Sequence, residues 1–313
     1  MTQPSILIVI VNWNSGPQLE HCLTSVSQVN FPGSVSVVVV DNASSDGSET
    51  CVERLAAAGH CMTLVRAGGN LGFGKGCNLG VKHFLDAGGV VDFVLFLNPD
   101  TVLEPDTLTR LCAAPQIQDP ETAIFGVQLL DAAGVTHSCS NFPTALNFWC
   151  KITGLSRVLP RQGWAQHHMS GFNHLNSRTV DQVMGAFLMI RWHVFQKLNG
   201  FDPQFFVYFE EVDLCLRARK DGYRTWFEAS SKAWHRGGGT TEAVKGFRLY
   251  LSLSSRLRYF RKNHATWEYI AIWMLSFGIE PVARATHLAL WGRFGEFRDL
   301  IECYGHFVRQ GIR

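Results

Sequence analysis

The stretch Val-Val-Val-Val-Asp-Asn-Ala-Ser-Ser-Asp-Gly-Ser, residues 37–48, decides the fold of this chain. Its valines belong to a β-branched run at residues 35–40, which predicts a strand that is buried on both faces of a sheet. The polar residues that follow predict an abrupt turn, in which Asp46 and Ser48 cap a helix that runs to about Ala58. A buried strand followed by a helix is the repeating unit of an α/β fold.

The same unit recurs on both sides of this stretch. Short apolar runs predict three more strands, at residues 6–11, 62–65 and 93–97. Helical patterns accompany them, one opened by Pro17, one at residues 75–87 and one opened by Pro105. This βαβαβαβ order predicts an α/β fold with a mostly parallel, Rossmann-like sheet that is flanked by helices.

The second half of the chain is less regular. Residues 130–180 show little periodicity and are rich in polar and aromatic residues, so we expect a long mobile loop over the site. After it, the pattern predicts a strand at residues 186–190 and a helix to Leu198 that Gly200 terminates. A further helix is predicted at residues 211–220.

Composition and charge exclude several classes of protein. Hydrophobic residues make up 46% of the chain and charged residues 17%, which indicates a folded core. The net charge of +2 is too small to indicate a surface that binds nucleic acid. The nine cysteines include no Cys-x-x-Cys pair, which favours reduced thiols over a disulfide framework or a zinc ribbon. Because the first apolar run is too short for a signal sequence or a membrane span, we expect a cytoplasmic protein.

Polar side chains collect at the carboxyl ends of the predicted strands, where parallel sheets bind their ligands. These side chains are Asn12, Asn14, Asp41, Asn70, Asn98 and Asp100. A carboxylate such as Asp41 can accept hydrogen bonds from a ribose or from the N–H of a base, or it can cap the next turn, and both interpretations stay open. At Asn98-Pro99-Asp100 a buried strand ends in an acid that suits a hard cation bound to a diphosphate.

The loop Gly-Gly-Asn-Leu-Gly-Phe-Gly-Lys-Gly-Cys-Asn-Leu-Gly, residues 68–80, is a candidate contact for phosphate. Its glycines let the backbone approach a ligand, and the N-terminus of the following helix favours anions. Gly72, Lys75 and Asn78 therefore join the donor-binding candidates. The loop follows the third strand rather than the first, which disfavours a nicotinamide oxidoreductase, and no P-loop motif occurs.

An aromatic-rich segment at residues 205–219 contains three closely spaced acids, Glu210, Glu211 and Asp213. Desolvation and like charge raise the pKa of carboxyl groups, which is what a general base that works near neutral pH requires. The alternative is that these acids complement the start of a helix, with Arg217 as an ion-pair partner. Farther along, His235 precedes a glycine run and is a candidate ligand for a metal or a phosphate.

Taken in order, these motifs resemble those of the family 2 glycosyltransferases, which have the GT-A fold, and especially the rhamnosyltransferase-like branch. The resemblance covers residues 5 to about 245 and rests on Val-Asn-Trp-Asn at 11–14, the turn at 41–48, the glycine loop, Asn-Pro-Asp at 98–100, Phe-Glu-Glu-Val-Asp-Leu-Cys-Leu-Arg at 209–217 and His-Arg-Gly-Gly at 235–238. It implies that Asp41 and Asn70 hold the nucleotide, and that Asp100 and His235 bind Mg²⁺ or Mn²⁺. It also implies that Glu211 is the catalytic base.

Two positions depart from the pattern of that family. Asn98 stands where many members carry an acid, so one carboxylate ligand for the metal is missing, and Glu211 stands where Asp is commoner. The resemblance implies an inverting hexosyltransferase that moves a sugar to a saccharide acceptor in bacterial cell-surface polysaccharide synthesis. It favours dTDP-L-rhamnose as the donor. A UDP-sugar donor, or a non-catalytic role as a sugar-nucleotide-binding scaffold, stays open.

A helical segment at residues 246–313 is predicted to follow a catalytic domain at residues 1–245. Within residues 265–300, an apolar and aromatic stretch precedes arginines that are spaced among apolar residues. This pattern fits an interfacial helix at the inner face of the cytoplasmic membrane, which would suit a lipid-linked acceptor. It fits equally well a helical hairpin that packs on the protein or forms a homodimer, and the sequence does not choose between these interpretations.

Overall fold

The predicted apolar runs form strands, because β-branched and aromatic side chains pack well on the pleated surface of a sheet. The computed structural model describes residues 3–131, 133–135, 138–158, 163–167, 169, 172–237 and 245–311. In chain order, its strands are β1 (Ser5–Asn12), β2 (Ser34–Asp41), β3 (Met62–Arg66), β4 (Phe93–Leu97), β5 (Thr101–Leu103), β6 (Thr122–Asp131), β7 (Gly134–Val135), β8 (Cys139–Ser140), β9 (Arg178–Val180), β10 (Gln182–Val183), β11 (Phe187–Arg191) and β12 (Arg224–His235).

In the described part of the chain, ten of these strands form one sheet, in the order β3-β2-β1-β4-β11-β6-β12-β5, with β7 paired to β6 and β9 to β12. Strands β3, β2, β1 and β4 run parallel, which confirms the prediction for the first half of the sequence. Strand β11 lies antiparallel between β4 and β6, whereas β12 is parallel to β6 and antiparallel to β5. The α/β class and the mostly parallel sheet are therefore as predicted.

Helices alternate with the strands in the first half and follow one another at the C-terminus. They are α1 (Pro17–Ser27), α2 (Thr50–Ala57), α3 (Phe73–Asp86), α4 (Thr107–Ala113), α5 (Ala145–Ile152), α6 (Leu155–Val158), α7 (Trp192–Lys197), α8 (Glu210–Lys220), α9 (Lys245–Asn263), α10 (Thr266–Met274), α11 (Glu280–Leu290) and α12 (Phe297–Gln310). A π-helical turn, Leu275–Ile279, joins α10 to α11. The predicted helix starts at Pro17 and near Pro105 agree with α1 and α4 to within two residues.

Two local predictions are wrong. Residues 130–180 are not one long loop, because their described part contains β7, β8, α5, α6 and β9. Helix α5 begins at a capping box in which Asn147 N donates to Thr144 Oγ1, a local signal that the lack of periodicity obscures. The carboxylate of Asp46 does not cap α2, because it accepts hydrogen bonds from Gly16 N and from Ser48 N and Oγ.

Helix α3 packs closely on β1 and β2 because two of its positions lack a side chain. A Cβ at Gly76 would lie 2.9 Å from Val11 Cγ2, and a Cβ at Gly80 would lie 2.6 Å from Val9 Cγ1. Both distances are shorter than van der Waals contact allows, so any larger residue would push the helix away from the sheet. At these two positions the glycines serve helix–sheet packing rather than the approach to a ligand that the sequence predicts.

The chain folds into two compact units that are not consecutive in sequence. The first unit consists of residues 1–140, 173–203 and 210–240, and the second consists of residues 141–172, 204–209 and 241–313. The predicted division at residue 245 stays a prediction. None of the helices in the described ranges combines the length and the hydropathy that crossing a bilayer requires.

Candidate active site

The ends of β1 and β2 are tied together by buried polar side chains. The register of the two strands pairs Asn12 with Asp41, and Asn12 Nδ2 donates to Asp41 Oδ1 at 2.9 Å. The same amide nitrogen donates to Ser48 Oγ at 2.9 Å, so β1 also holds the turn at residues 41–48. Asn12 Oδ1 is buried and has no hydrogen-bond partner among the described residues. A buried acceptor of this kind is free to receive a hydrogen bond from a ligand.

Asp41 and Asn14 give this turn its shape. The second carboxylate oxygen of Asp41 accepts a hydrogen bond from Ser44 N at 3.1 Å, which is the turn-capping interpretation of the sequence. Asn14 has a φ of 51° and accepts from Ser45 N at 2.7 Å. Asp41 is only 5% exposed. The turn is therefore rigid before any ligand arrives, and nucleotide binding by Asp41 stays a prediction.

The predicted donor-binding residues of the glycine loop have two different structural roles. Asn70 is exposed, and its Oδ1 accepts from Gly72 N at 3.0 Å, which shapes the turn into α3. Lys75 is exposed in the first turn of α3. Both ends of the Asn78 amide bind the backbone of Phe201, because Nδ2 donates to its carbonyl at 2.8 Å and Oδ1 accepts from its N–H at 3.0 Å. Asn78 therefore braces the chain near the acids, whereas Asn70 and Lys75 face solvent.

Asp100 and His235 lie side by side although they are far apart in sequence. Strand β5 pairs with the end of β12 so that Thr101 lies opposite His235, and Asp100 immediately precedes Thr101. The distance from His235 Nε2 to Asp100 Oδ1 is 3.3 Å, and the two side chains are 13% and 10% exposed. The structure thus brings together the two residues that the sequence predicts as metal ligands. Asn98, which is partly exposed, immediately follows the last residue of β4.

The Asp100–His235 pair fits a divalent cation that has further ligands from elsewhere. No group of three or more His, Cys, Asp or Glu residues with metal-binding geometry occurs in the described part of the chain. Mg²⁺ in phosphate-transfer sites is held by one or two protein ligands and completes its coordination with waters and substrate phosphates. Two ligands of this kind, one oxygen and one nitrogen, suit such a site and would not suit a closed structural zinc site.

Glu210 and Glu211 begin α8, and each side chain lies close to a position that lacks a side chain. A Cβ at Gly74 would lie 3.6 Å from Glu210 Cβ, and a Cβ at Gly185 would lie 3.6 Å from Glu211 Cβ and Cγ. Gly185 was not singled out in the sequence, because a lone glycine before an apolar strand is too common a signal. Tyr208, two residues before α8, has a φ of 67°, a strained value for a bulky residue.

The two glutamates have uncommon electrostatic surroundings. Burial raises the pKa of the Glu210 carboxyl well above its ordinary range, and the charge of neighbouring Glu211 raises that pKa further. Burial also raises the pKa of Glu211. One oxygen of each carboxyl, Oε2, is buried without a hydrogen-bond partner among the described residues. Glu210 is 5% exposed, whereas Glu211 is less deeply buried and is the easier one for a substrate to reach.

Asp213, the third acid, is in a different position. It is fully buried, and its Oδ2 accepts from Arg217 Nε at 2.7 Å. Arg217 also donates to the carbonyls of Leu198 and Gly200, at 2.7 and 2.8 Å. Asp213 thus orients an arginine that ties α8 to the chain after α7. The ion-pair alternative from the sequence describes Asp213, whereas Glu210 and Glu211 keep the features of an acid–base pair.

The raised pKa values predict how stability depends on pH. A carboxyl whose pKa is higher in the folded state binds its proton more tightly there, so its stabilisation is full below the unfolded-state pKa and is lost as the pH rises through the folded-state pKa. We therefore expect Glu210→Gln, which cannot ionise, to unfold at a higher urea concentration than the wild type near neutral pH. The difference should disappear below about pH 3, where the glutamate of both states is protonated. Urea titrations at several pH values measure this.

Glu228 provides a matched control of opposite sign. It is 7% exposed, and its pKa is lowered although burial opposes this, because Ser177, Trp226 and Ser230 donate hydrogen bonds to its carboxylate. Glu228→Gln should therefore lose stability near neutral pH while Glu210→Gln gains it. A loss of stability in both variants would contradict the raised pKa of Glu210.

The chain is similar in sequence to a known protein family and to characterised proteins. The sequence model of "Glycosyltransferase like family 2" matches residues 4–258. The N-acetylglucosaminyl-diphospho-decaprenol L-rhamnosyltransferase of Mycobacterium tuberculosis is 27% identical over 272 residues, which are 83% of this chain and 85% of that protein. Rhamnosyltransferase WbbL of Escherichia coli is 28% identical over 206 residues, which are 63% of this chain and 73% of that protein.

A solved structure supports the fold. The mannosyltransferase PcManGT from Pyrobaculum calidifontis, in complex with GDP-Man and Mn²⁺, matches with a TM-score of 0.58 and 17% sequence identity. The match covers 98% of this chain and 87% of that chain. At this level of identity the likeness shows a shared fold and nothing about the ligands of this chain.

Proposed function

The chain belongs to glycosyltransferase-like family 2, and from this membership we propose that it is an inverting rhamnosyltransferase. It takes L-rhamnose from dTDP-L-rhamnose and transfers it to a saccharide acceptor in the synthesis of a bacterial cell-surface polysaccharide. The names of the relatives from M. tuberculosis and E. coli support rhamnose as the sugar. A UDP-sugar is the alternative donor.

The observation that carries this proposal is the pair of buried acids at the start of α8. A base that works near neutral pH needs a pKa above the ordinary range of a glutamate, and burial raises the pKa of both Glu210 and Glu211. Because Glu211 is the less deeply buried of the two, we assign it as the base. Its carboxylate removes the proton from an acceptor hydroxyl. The resulting oxygen forms a bond to the anomeric carbon, and the bond from that carbon to the diphosphate breaks.

Inversion follows from the use of a single displacement. The acceptor oxygen attacks the face opposite the leaving diphosphate, and the diphosphate departs with the bonding electron pair. We assign no side chain as a nucleophile, so no covalent sugar–enzyme intermediate forms. Burial raises the pKa of Glu210 and so favours its uncharged form, which limits the negative charge next to Glu211.

Asp100 and His235 would hold Mg²⁺ or Mn²⁺, which would supply positive charge next to the diphosphate. The missing acid at Asn98 leaves Asp100 as the single carboxylate of this turn. We assign binding of the remaining parts of the donor to the ends of β1 and β2 and to the glycine loop. Asn12 Oδ1 offers a buried, unpartnered acceptor there, and Lys75 offers an exposed cation at the start of α3.

We propose a lipid-linked saccharide as the acceptor. The relative from M. tuberculosis is named for a diphospho-decaprenol substrate, and it aligns with 83% of this chain. A lipid-linked acceptor places the enzyme in the cytoplasm at the inner face of the membrane, where its nucleotide donor is soluble and its acceptor is anchored. Homodimer formation stays a separate question that this proposal does not need.

Donor binding and turnover together test the proposed function. We expect dTDP to raise the melting temperature more than UDP or GDP does, with a larger rise when Mn²⁺ is present. Incubation with dTDP-L-rhamnose and a lipid-linked saccharide should release dTDP. A larger shift with UDP would support the alternative donor. Binding without release of nucleotide from any donor would support a non-catalytic scaffold, and absence of binding to all three nucleotides would contradict both.

A further inference from the structure

The second unit exposes an unusual number of large apolar side chains on one stretch of helix. Helices α10 and α11 are continuous through the π-helical turn at residues 275–279. On the outer side of this stretch, the exposed fractions are 67% for Trp267, 47% for Ile270, 46% for Trp273, 55% for Met274 and 64% for Val282. We call these five residues the apolar face. They are too many and too close in sequence to be isolated surface residues.

The apolar face contains no free charge. Between residues 266 and 283 the charged residues are Glu268 and Glu280. Glu268 Oε1 lies 3.2 Å from His264 Nδ1, at the first turn of α10. Glu280 is 2% exposed and accepts from Arg256 Nη2 at 2.5 Å and from Arg284 Nη2 at 2.7 Å. Both acids are thus turned toward the protein, which leaves the outer side uncharged.

Neighbouring elements of the same unit extend the exposed apolar surface. Helix α5 packs against α10, and its Leu146 and Trp149 are 51% and 46% exposed. At the C-terminal end of α11, Leu290 and Trp291 are 79% and 73% exposed. Tryptophan is enriched where a protein meets the headgroup region of a bilayer, because its ring is apolar and its N–H is polar. The exposed surface therefore has the composition of an interfacial belt.

Charge distinguishes a lipid surface from a second copy of the chain. Residues 245–311 contain ten Lys and Arg residues but only five Asp and Glu residues, whereas the whole chain has a net charge of only +2. Two copies that met through this segment would bring two sets of excess positive charge together. An anionic bilayer would instead neutralise it.

From these observations we propose that the apolar face inserts into the headgroup region of an anionic bilayer, to which the excess positive charge of residues 245–311 attracts the protein. The protein is then a peripheral membrane protein whose helices α10 and α11 lie in the plane of the interface. This proposal stands on the second unit alone and does not depend on the chemistry of Glu211 or Asp100.

Vesicle flotation tests the proposal with the full chain. We expect the wild type to float with vesicles that contain about 30% phosphatidylglycerol and to bind far less to pure phosphatidylcholine, with binding that weakens as salt rises. The double variant Trp267→Gln with Trp273→Gln should lose at least about tenfold in bound fraction, because two buried rings contribute most of the insertion. Both side chains are about half exposed or more, so circular dichroism should show an unchanged fold.

A matched control and a second readout make the result decisive. Trp234, in the first unit, is 47% exposed, and Trp234→Gln should float like the wild type. The double variant should keep wild-type release of nucleotide diphosphate with a water-soluble acceptor, which separates loss of membrane binding from loss of the proposed activity. Equal flotation of the wild type and the double variant would overturn the proposal. A dimer that sedimentation detects, and that the double variant breaks without any flotation of the wild type, would assign the face to a second copy.

Discussion

Replacing Glu211 by Gln is expected to lower turnover by about 10²–10⁴-fold, the range that a positioned general base contributes. The amide has the shape of the carboxyl group but cannot accept the proton of the acceptor hydroxyl. The Oε2 atom of Glu211 is buried without a protein partner, so its replacement breaks no described hydrogen bond there. We therefore expect kcat to fall while the affinity for the nucleotide, measured by calorimetry, stays within about twofold.

Glu210→Gln is the matched control for this experiment. Glu210 adjoins Glu211 in the same helical turn and is more deeply buried, and burial raises its pKa well above the ordinary range, which favours its uncharged form. An amide reproduces that uncharged state, so we expect Glu210→Gln to keep most of the turnover. If Glu210→Gln were inactive and Glu211→Gln active, the base would be Glu210. Near-normal turnover in both variants would move the role to Asp213, against its ion pair with Arg217.

The second large effect concerns Asp100. Because Asp100 is the single carboxylate of its turn, Asp100→Asn should weaken cation binding and lower turnover by about 10²–10³-fold at a fixed Mn²⁺ concentration. His235 Nε2 is only 3.3 Å from the substituted group, so part of the activity should return at high Mn²⁺. Turnover as a function of Mn²⁺ concentration measures both effects. Asp106→Asn, at an exposed ion pair with Arg110, serves as the control with no expected effect.

A substitution that adds an acid to this turn tests the same metal assignment. Asn98→Asp would restore the second acid that many members of the family carry at this position. We expect it to lower the Mn²⁺ concentration that gives half-maximal turnover, because a second carboxylate raises the affinity for a hard cation. Full activity of the wild type in excess chelator would refute the metal assignment for Asp100 and His235 altogether.

The parallel half of the sheet was predictable because its strands carry their own signal. Strands β1, β2 and β4 contain continuous apolar runs, and runs of this kind are stable only when both faces are covered. Strand β12 carries no such signal. It includes Arg224, Glu228 and Lys232, and its pairing with β6 is shifted twice. Its place in the sheet depends on the neighbours that it meets after folding, which local periodicity does not encode.

The candidate site likewise has one part that the sequence predicts and one part that it does not. The sequence placed Asp41, Asn70 and Asp100 at strand ends, because parallel strands and short loops determine which residues reach that edge. It did not distinguish Asp213 from Glu210 and Glu211, since all three are acids within one helical turn. The distinction comes from Arg217, which pairs with Asp213 and binds the carbonyls of Leu198 and Gly200, and from Gly74 and Gly185, which lie against the two glutamates.

The residue order alone was sufficient to establish the α/β class, the parallel half of the sheet and the family, because strand periodicity and ordered motifs are local properties. The pairing of Asp100 with His235, the raised pKa values at the start of α8 and the exposure of the apolar face on α10 and α11 required the folded chain. Each of these properties depends on which distant groups exclude water from a side chain or leave it exposed. Burial of that kind is determined by tertiary contacts, and no stretch of sequence carries it by itself.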